Sequence, residues 1–325
     1  MINGDNTKGL PAAGEAGARS DRAVRGGIEQ GFGSRALGRI MLADRIFLFR
    51  KSFVGLALML AFAGLALAQG MRTDRRSRLS LEDRAIPAAD RTSGPSSLRT
   101  YSAPSQPLGN GSARSWVSVD GQGNPTAIGV SFSEDALSGL PAEPRPGQEG
   151  TELTLLLPRQ AAPFNHIGLD WNPKGHSPAG IYDVPHLDFH FYLITPQQRE
   201  SIKGVGDDLP RASKPLAAEY LPAGYIMPPG TVVPRMGAHL IDAQSGELHG
   251  SAFTRTFLYG SYDGNLIFAE PMITKSFLET KTNVTEFLKL PAKYAVAGYY
   301  PTRYSIKYDA ATREYTVALE GMVRR

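Results

Sequence analysis

The chain has no cysteine. That excludes disulfides, thiolate metal sites and a cysteine nucleophile, and it leaves stability to the packed core. A G-x-S-x-G elbow and a P-loop are also missing, so no nucleophile or phosphate cradle is marked. Excess charge is small: 35 basic and 31 acidic residues give a net of +4. Residues 1–68 hold 9 of the basic and 5 of the acidic ones, which leaves 26 of each in the remainder. The chain beyond 68 therefore carries no electrostatic footprint for nucleic acid, and none is expected as a partner. Histidine is scarce as well, with six in 325 residues. All six fall between His166 and His249.

The densest part of that interval is WNPKGHSPAGIYDVPHLDFHFYLIT, Trp171 to Thr195. It holds His176, His186 and His190, with Asp183 and Asp188 between them. His186, Asp188 and His190 alternate with Leu187, Phe189 and Phe191. Side chains two apart share one face of a strand, so this pattern predicts a strand with a His-Asp-His face and a Leu-Phe-Phe face. Pro185 fits a strand start. A helix would also align His186 and His190, as in HExxH zinc sites, but Pro185 and the alternation oppose it.

Strand geometry limits which of these residues can share an ion. Positions 186 and 190 lie about 13 Å apart at roughly 3.3 Å per residue. The expected pairs are therefore His186 with Asp188, or Asp188 with His190. Remaining ligands must come from elsewhere, with His176 and His239 the nearest candidates. The candidate site is thus one divalent transition metal (Zn, Cu, Ni or Fe) held by His239 and at least two of His176, His186, Asp188 and His190. Neutral imidazoles and carboxylates suit those ions. Glu270, ahead of Pro271 at the end of an apolar strand, reads either as a plain strand-end carboxylate, the commoner case, or as a fourth ligand or general base. His166 reads as a lone surface or packing residue and His249 as an exposed turn residue.

Residues 1–40 have no apolar pattern and read as disordered. From Met41 the order changes to a basic n-region (Arg45, Arg50, Lys51), an apolar stretch Phe53–Leu65 and Ala66-Leu67-Ala68 before Gln69, the pattern of a cleaved signal peptide over 41–68. This predicts an exported protein, periplasmic or extracellular, with Gln69 as its first residue, no membrane span after cleavage and Met41 as the true start. Residues 69–107, rich in Arg, Ser and Pro, read as a disordered linker. The globular part, 108–325, shows many short strands, turns rich in Gly and Pro and few helices. That composition predicts a single all-β domain, a β-sandwich or barrel-like fold. Asp263-Gly264 between Thr254–Tyr259 and Leu266–Ala269 marks a hairpin.

Four segments, GNGSARSWVSVDGQGNPTAIGVSFSEDALSGLP, WNPKGHSPAGIYDVPHLDFHFYLIT, VVPRMGAHLID and FLYGSYDGNLIFAEPMIT, together resemble an uncharacterised family of exported bacterial proteins. It is a domain of unknown function with a Thermus protein as its namesake. The resemblance covers roughly residues 108–280, with Leu187 in place of an expected aromatic. It implies an exported β-rich domain and no particular activity. Two classes of function follow: an exported metal-binding protein, oxidoreductase or hydrolase, and a non-enzymatic β-domain for binding or assembly whose histidines serve the fold. A homo-oligomer is compatible with either, and no small-molecule ligand is indicated.

Overall fold

The computed structural model describes residues 97–144 and 150–325. The leader, the signal peptide and most of the linker read from the sequence lie outside them. The described residues begin with β1 (Arg99–Ser102), β2 (Gln106–Leu108), β3 (Gly111–Val119) and β4 (Pro125–Ser133). β5 (Thr151–Leu156), β6 (His166–Asn172) and β7 (His186–Tyr192) follow. Short helices α1 (Pro196–Ser201) and α2 (Leu209–Ala212) lead to β8 (Tyr225–Ile226), β9 (Val232–Val233) and β10 (Gly237–Asp242). Next come the long hairpin β11 (Arg255–Tyr262) and β12 (Asn265–Thr274), then α3 (Lys275–Glu279) and β13 (Val284–Phe287). The chain closes with β14 (Tyr299–Tyr300), β15 (Arg303–Asp309), β16 (Glu314–Glu320) and β17 (Val323–Arg324).

Two antiparallel sheets stack as a sandwich; among the described residues neither closes into a barrel. One runs β1-β3-β4-β16-β15-β13, with β2 also on β3; the other runs β5-β6-β7-β12-β11-β10-β8, with β9 also on β10. Their facing sides form one core. Val117, Ile128, Val130, Phe132, Val317 and Leu319 from the first meet Ile167, Leu169, Leu187, Phe189, Phe191 and Ile273 from the second. Phe132 stacks on Phe189 with centroids 6.0 Å apart, and Phe257 meets Tyr304 at 5.1 Å. Each such side chain, fully buried, contributes about 1.5–3 kcal/mol.

Local chemistry sets the turns. Asp263 and Gly264 both have positive φ, 51° and 74°, the conformation that a two-residue hairpin turn requires. Thr195 caps α1 with a full capping box: its hydroxyl accepts from Gln198 N–H, and the Gln198 side chain accepts from Thr195 N–H.

Two expectations need correction. The span read as linker, 69–107, contains β1 and the first two residues of β2, both strands paired to β3; these polar strands show no apolar period because they are largely exposed. The apolar strand expected to end at Glu270 continues through Pro271 to Thr274. Pro271 sits on a central strand, and pairing with β7 lapses at Glu270 and Pro271 while pairing with β11 holds. The missing N–H therefore falls on one side only. β13 and α3 gave no sequence signal of their own.

Candidate metal centre

On β6 and β7 the outer face of the second sheet is polar where the inner is apolar. On β7 the strand register puts His186 opposite Asn172, Asp188 opposite Asp170, His190 opposite Gly168 and Tyr192 opposite His166. Across the other edge of β7, Ala269 faces Phe191 and Met272 faces Asp188, so Glu270 comes opposite His190. His239 on β10 faces Gly260 on β11. Gly260 has to be glycine: a Cβ there would lie 1.9 Å from the Phe268 ring. With no side chain at that position, the Phe268 ring fits over Gly260 and meets both His239 (centroids 5.3 Å) and His190 (4.8 Å) edge-on.

Among the described residues, two groups of three side chains with the chemistry to hold a metal result. His176, His186 and Asp188 form one, and His190, His239 and Glu270 the other; within each, the ligand atoms lie within 4.8 Å of one another. In the first, His186 Nε2 is 3.2 Å from Asp188 Oδ1, and His176 Nε2 is 3.3 Å from Oδ2. Asn172 Nδ2 donates to Oδ2 at 2.7 Å. In the second, His190 Nε2 is 3.2 Å from Glu270 Oε1, and His239 Nε2 is 3.8 Å from Oε2. His190 Nδ1 lies 3.0 Å from Asp170 Oδ2. Either set, two imidazoles and a carboxylate, can hold a divalent transition metal and leave coordination positions open.

The backbone fixes the tautomers. Nδ1 of His176 points to Ser177 O at 2.8 Å, that of His186 to Val184 O at 2.7 Å, and that of His239 to Thr231 O at 3.0 Å. A carbonyl oxygen only accepts, so each Nδ1 carries a proton and each Nε2 presents its lone pair when the ring is neutral. His190 differs: its Nδ1 lies 3.0 Å from Asp170 Oδ2 without a hydrogen bond between them, so no such contact sets its tautomer. Buried polar atoms normally have partners, yet His186 Nε2, Asp188 Oδ1, both ring nitrogens of His190, Asp170 Oδ2 and Glu270 Oε2 have none. The close His190–carboxylate approaches have hydrogen-bond distance without hydrogen-bond direction.

Charge is concentrated here behind apolar cover. Burial pushes His176 down, but the Asp188 carboxylate outweighs it and raises His176 to about 9. Burial would lift Asp188, and the two histidines hold it well below the ordinary carboxylate range. Burial lowers His190, yet Glu270, with Tyr192 and Asp170, raises it well above the usual value. His239 is lowered, chiefly by burial. Protons on His176 and His190 thus supply positive charge that the carboxylates need.

The expected faces of 186–191 are those observed, and all five candidate residues lie on this side of the sheet. The separation of His186 from His190 also holds. The expected single set does not: of the four candidates named beside it, only His190 stands with His239, and their third member is Glu270. Asp188 pairs with His186 and His176, not with His190. His166 is fully buried and stacks on Tyr192 at 4.6 Å, so it packs and is not at the surface; burial lowers it to about 4. His249 is exposed. Asp170 and Asn172 went unrecognised, although HIGLDWN carries the same period-two alternation and puts His166, Gly168, Asp170 and Asn172 on one face.

Residues 120–171 match the model of a family described as TTHB210-like, hypothetical protein TTHB210. It is the family with the Thermus namesake that the sequence resembles. The matched span reaches Asp170 and stops short of both triads. No curated protein and no solved structure matches the chain. Among the described residues no helix is long and apolar enough to cross a membrane.

Proposed function

We propose that this is an exported metal-binding β-sandwich in which His190, His239 and Glu270 hold one divalent transition metal. One observation carries the reading: His190 Nε2 and Glu270 Oε2 are buried, aimed into the same space and without partners. All three ligands come from strands, so their backbones are fixed by the ladder before any ion arrives. Glu270 lies where Pro271 interrupts pairing with β7. Three protein ligands leave room for water or a small ligand on the metal, which suits a hydrolase or oxidoreductase as well as a metal carrier.

The test is elemental analysis of the purified full chain, followed by Zn²⁺ titration of chelator-treated protein. The wild type should bind Zn²⁺ at this triad, and His239→Ala should bind one ion fewer. Equal, weak binding by both would favour the second reading, a non-enzymatic β-domain with structural histidines. That reading draws on the raised His176 and His190, whose protons balance the carboxylates without a metal. Export is proposed from Arg45 to Ala68 alone; N-terminal sequencing of secreted protein should begin at Gln69, and recovery of residues 1–40 would overturn it.

A further inference from the structure

We infer that His176, His186 and Asp188 form a second, separate site for a borderline divalent cation such as Zn²⁺, and that the ion fastens the 173–185 loop to the sheet. His186 and Asp188 are strand residues, 0% and 3% exposed, and His186 Nε2 and Asp188 Oδ1 lack partners. Asn172 occupies Oδ2 and so turns Oδ1 toward His186. The third ligand differs in kind. His176 is the one member of the two triads that no strand carries, and its side chain is 21% exposed.

The loop is shaped to present it. Gly175 has φ +71°, and a Cβ there would fall 2.0 Å from Tyr182 O, so the loop doubles back on itself at this point. His176 N–H donates to Tyr182 O at 3.2 Å. Tyr182 anchors the return, with its ring 4.9 Å from Phe253 and its hydroxyl 3.2 Å from Glu247 Oε1. The His176 ring then meets His186 edge-on at 4.7 Å. An ion bound by all three residues would tie a loop to two strand side chains, whereas the His190 site ties strand to strand. Two imidazoles in the set favour Zn²⁺-like ions over Ca²⁺ or Mg²⁺, which take oxygen ligands.

The experiment is native mass spectrometry of the chelator-treated full chain with added Zn²⁺, paired with limited trypsin digestion at Lys174, which stands two residues from His176 with its side chain 62% exposed. Wild type should take two ions, His186→Ala one and His239→Ala one. Zn²⁺ should slow cleavage at Lys174 in wild type and in His239→Ala, but not in His186→Ala. His176→Gln, on the loop, repeats the His186 arm without disturbing a strand. A single ion that is kept by His239→Ala and lost by both His186→Ala and His176→Gln would support this site while removing the His190 site. A single ion lost only by His239→Ala, with Lys174 cleaved at the same rate with and without Zn²⁺, would overturn it, as would no ion at all.

Discussion

The two faces of β7 differ by one residue of register and obey different rules. Leu187, Phe189 and Phe191 face the other sheet, fully buried among apolar neighbours with every contact made within the protein. His186, Asp188 and His190 are buried as deeply, at 0%, 3% and 1% exposure, yet several of their polar atoms have no protein partner. The inner face is finished by packing. The outer face is finished only by something that supplies positive charge, a proton or a metal. Equal burial therefore does not imply equal purpose, and the unpartnered atoms distinguish the two.

The largest effect should come from the inner face. Phe189→Ala should destabilise the domain by about 3–5 kcal/mol in denaturant melts, with Zn²⁺ stoichiometry unchanged wherever the variant remains folded. A smaller loss would mean that the sheets close over the cavity.

Next comes the buried pair at the edge of the outer face. Glu152 accepts from Arg199 and Arg235, and Arg199 is 1% exposed. Glu152→Gln should cost about 3 kcal/mol, since it leaves a buried guanidinium without its counter-charge. Burial alone would raise Glu152, but Arg199 and Arg235 outweigh it and hold the carboxyl at about 2. A folded-state value below the unfolded one means stability that is present above the unfolded carboxylate range and lost as pH falls toward 2. Acid melts of wild type should therefore lose stability over that range more steeply than those of Glu152→Gln.

The outer face predicts a crossing pH dependence. His176 is raised to about 9. In chelator-treated protein its pairing with Asp188 is then fully stabilising below about 6.5, the unfolded histidine value, and is lost as pH rises through 9. Zn²⁺ must displace that proton, so affinity should rise over the same window. Titration calorimetry at pH 7.5 in buffers of different ionisation enthalpy should show proton release in wild type and less in His176→Gln. Equal release would remove His176 from the metal's ligands. The smallest effect belongs to a helix cap just beyond β7: Thr195→Ala should cost about 1 kcal/mol through loss of the α1 cap.

How much of this was readable in advance follows from what sequence period encodes. Alternation within one strand is local, so the faces of 186–191 and the hairpin at Asp263-Gly264 were legible. The pairing of strands is not local. Nothing in the spacing of His190, His239 and Glu270 says that β12 lies beside β7, or that Gly260 leaves space for the Phe268 ring that meets His239 and His190. Asp170 was legible in principle, since its strand alternates as β7 does, but its role beside His190 depends on register. Pro271 misled because proline usually ends or edges a strand, whereas here the lost donor coincides with a gap in pairing on the β7 side.

The most direct test of the metal-site account is anomalous diffraction at the zinc edge from crystals of the protein grown with Zn²⁺. The account predicts a peak about 2 Å from Nε2 of His190, Nε2 of His239 and a carboxylate oxygen of Glu270. Ordered density for these three side chains without a peak between them, with zinc only at exposed positions such as His249, would contradict it.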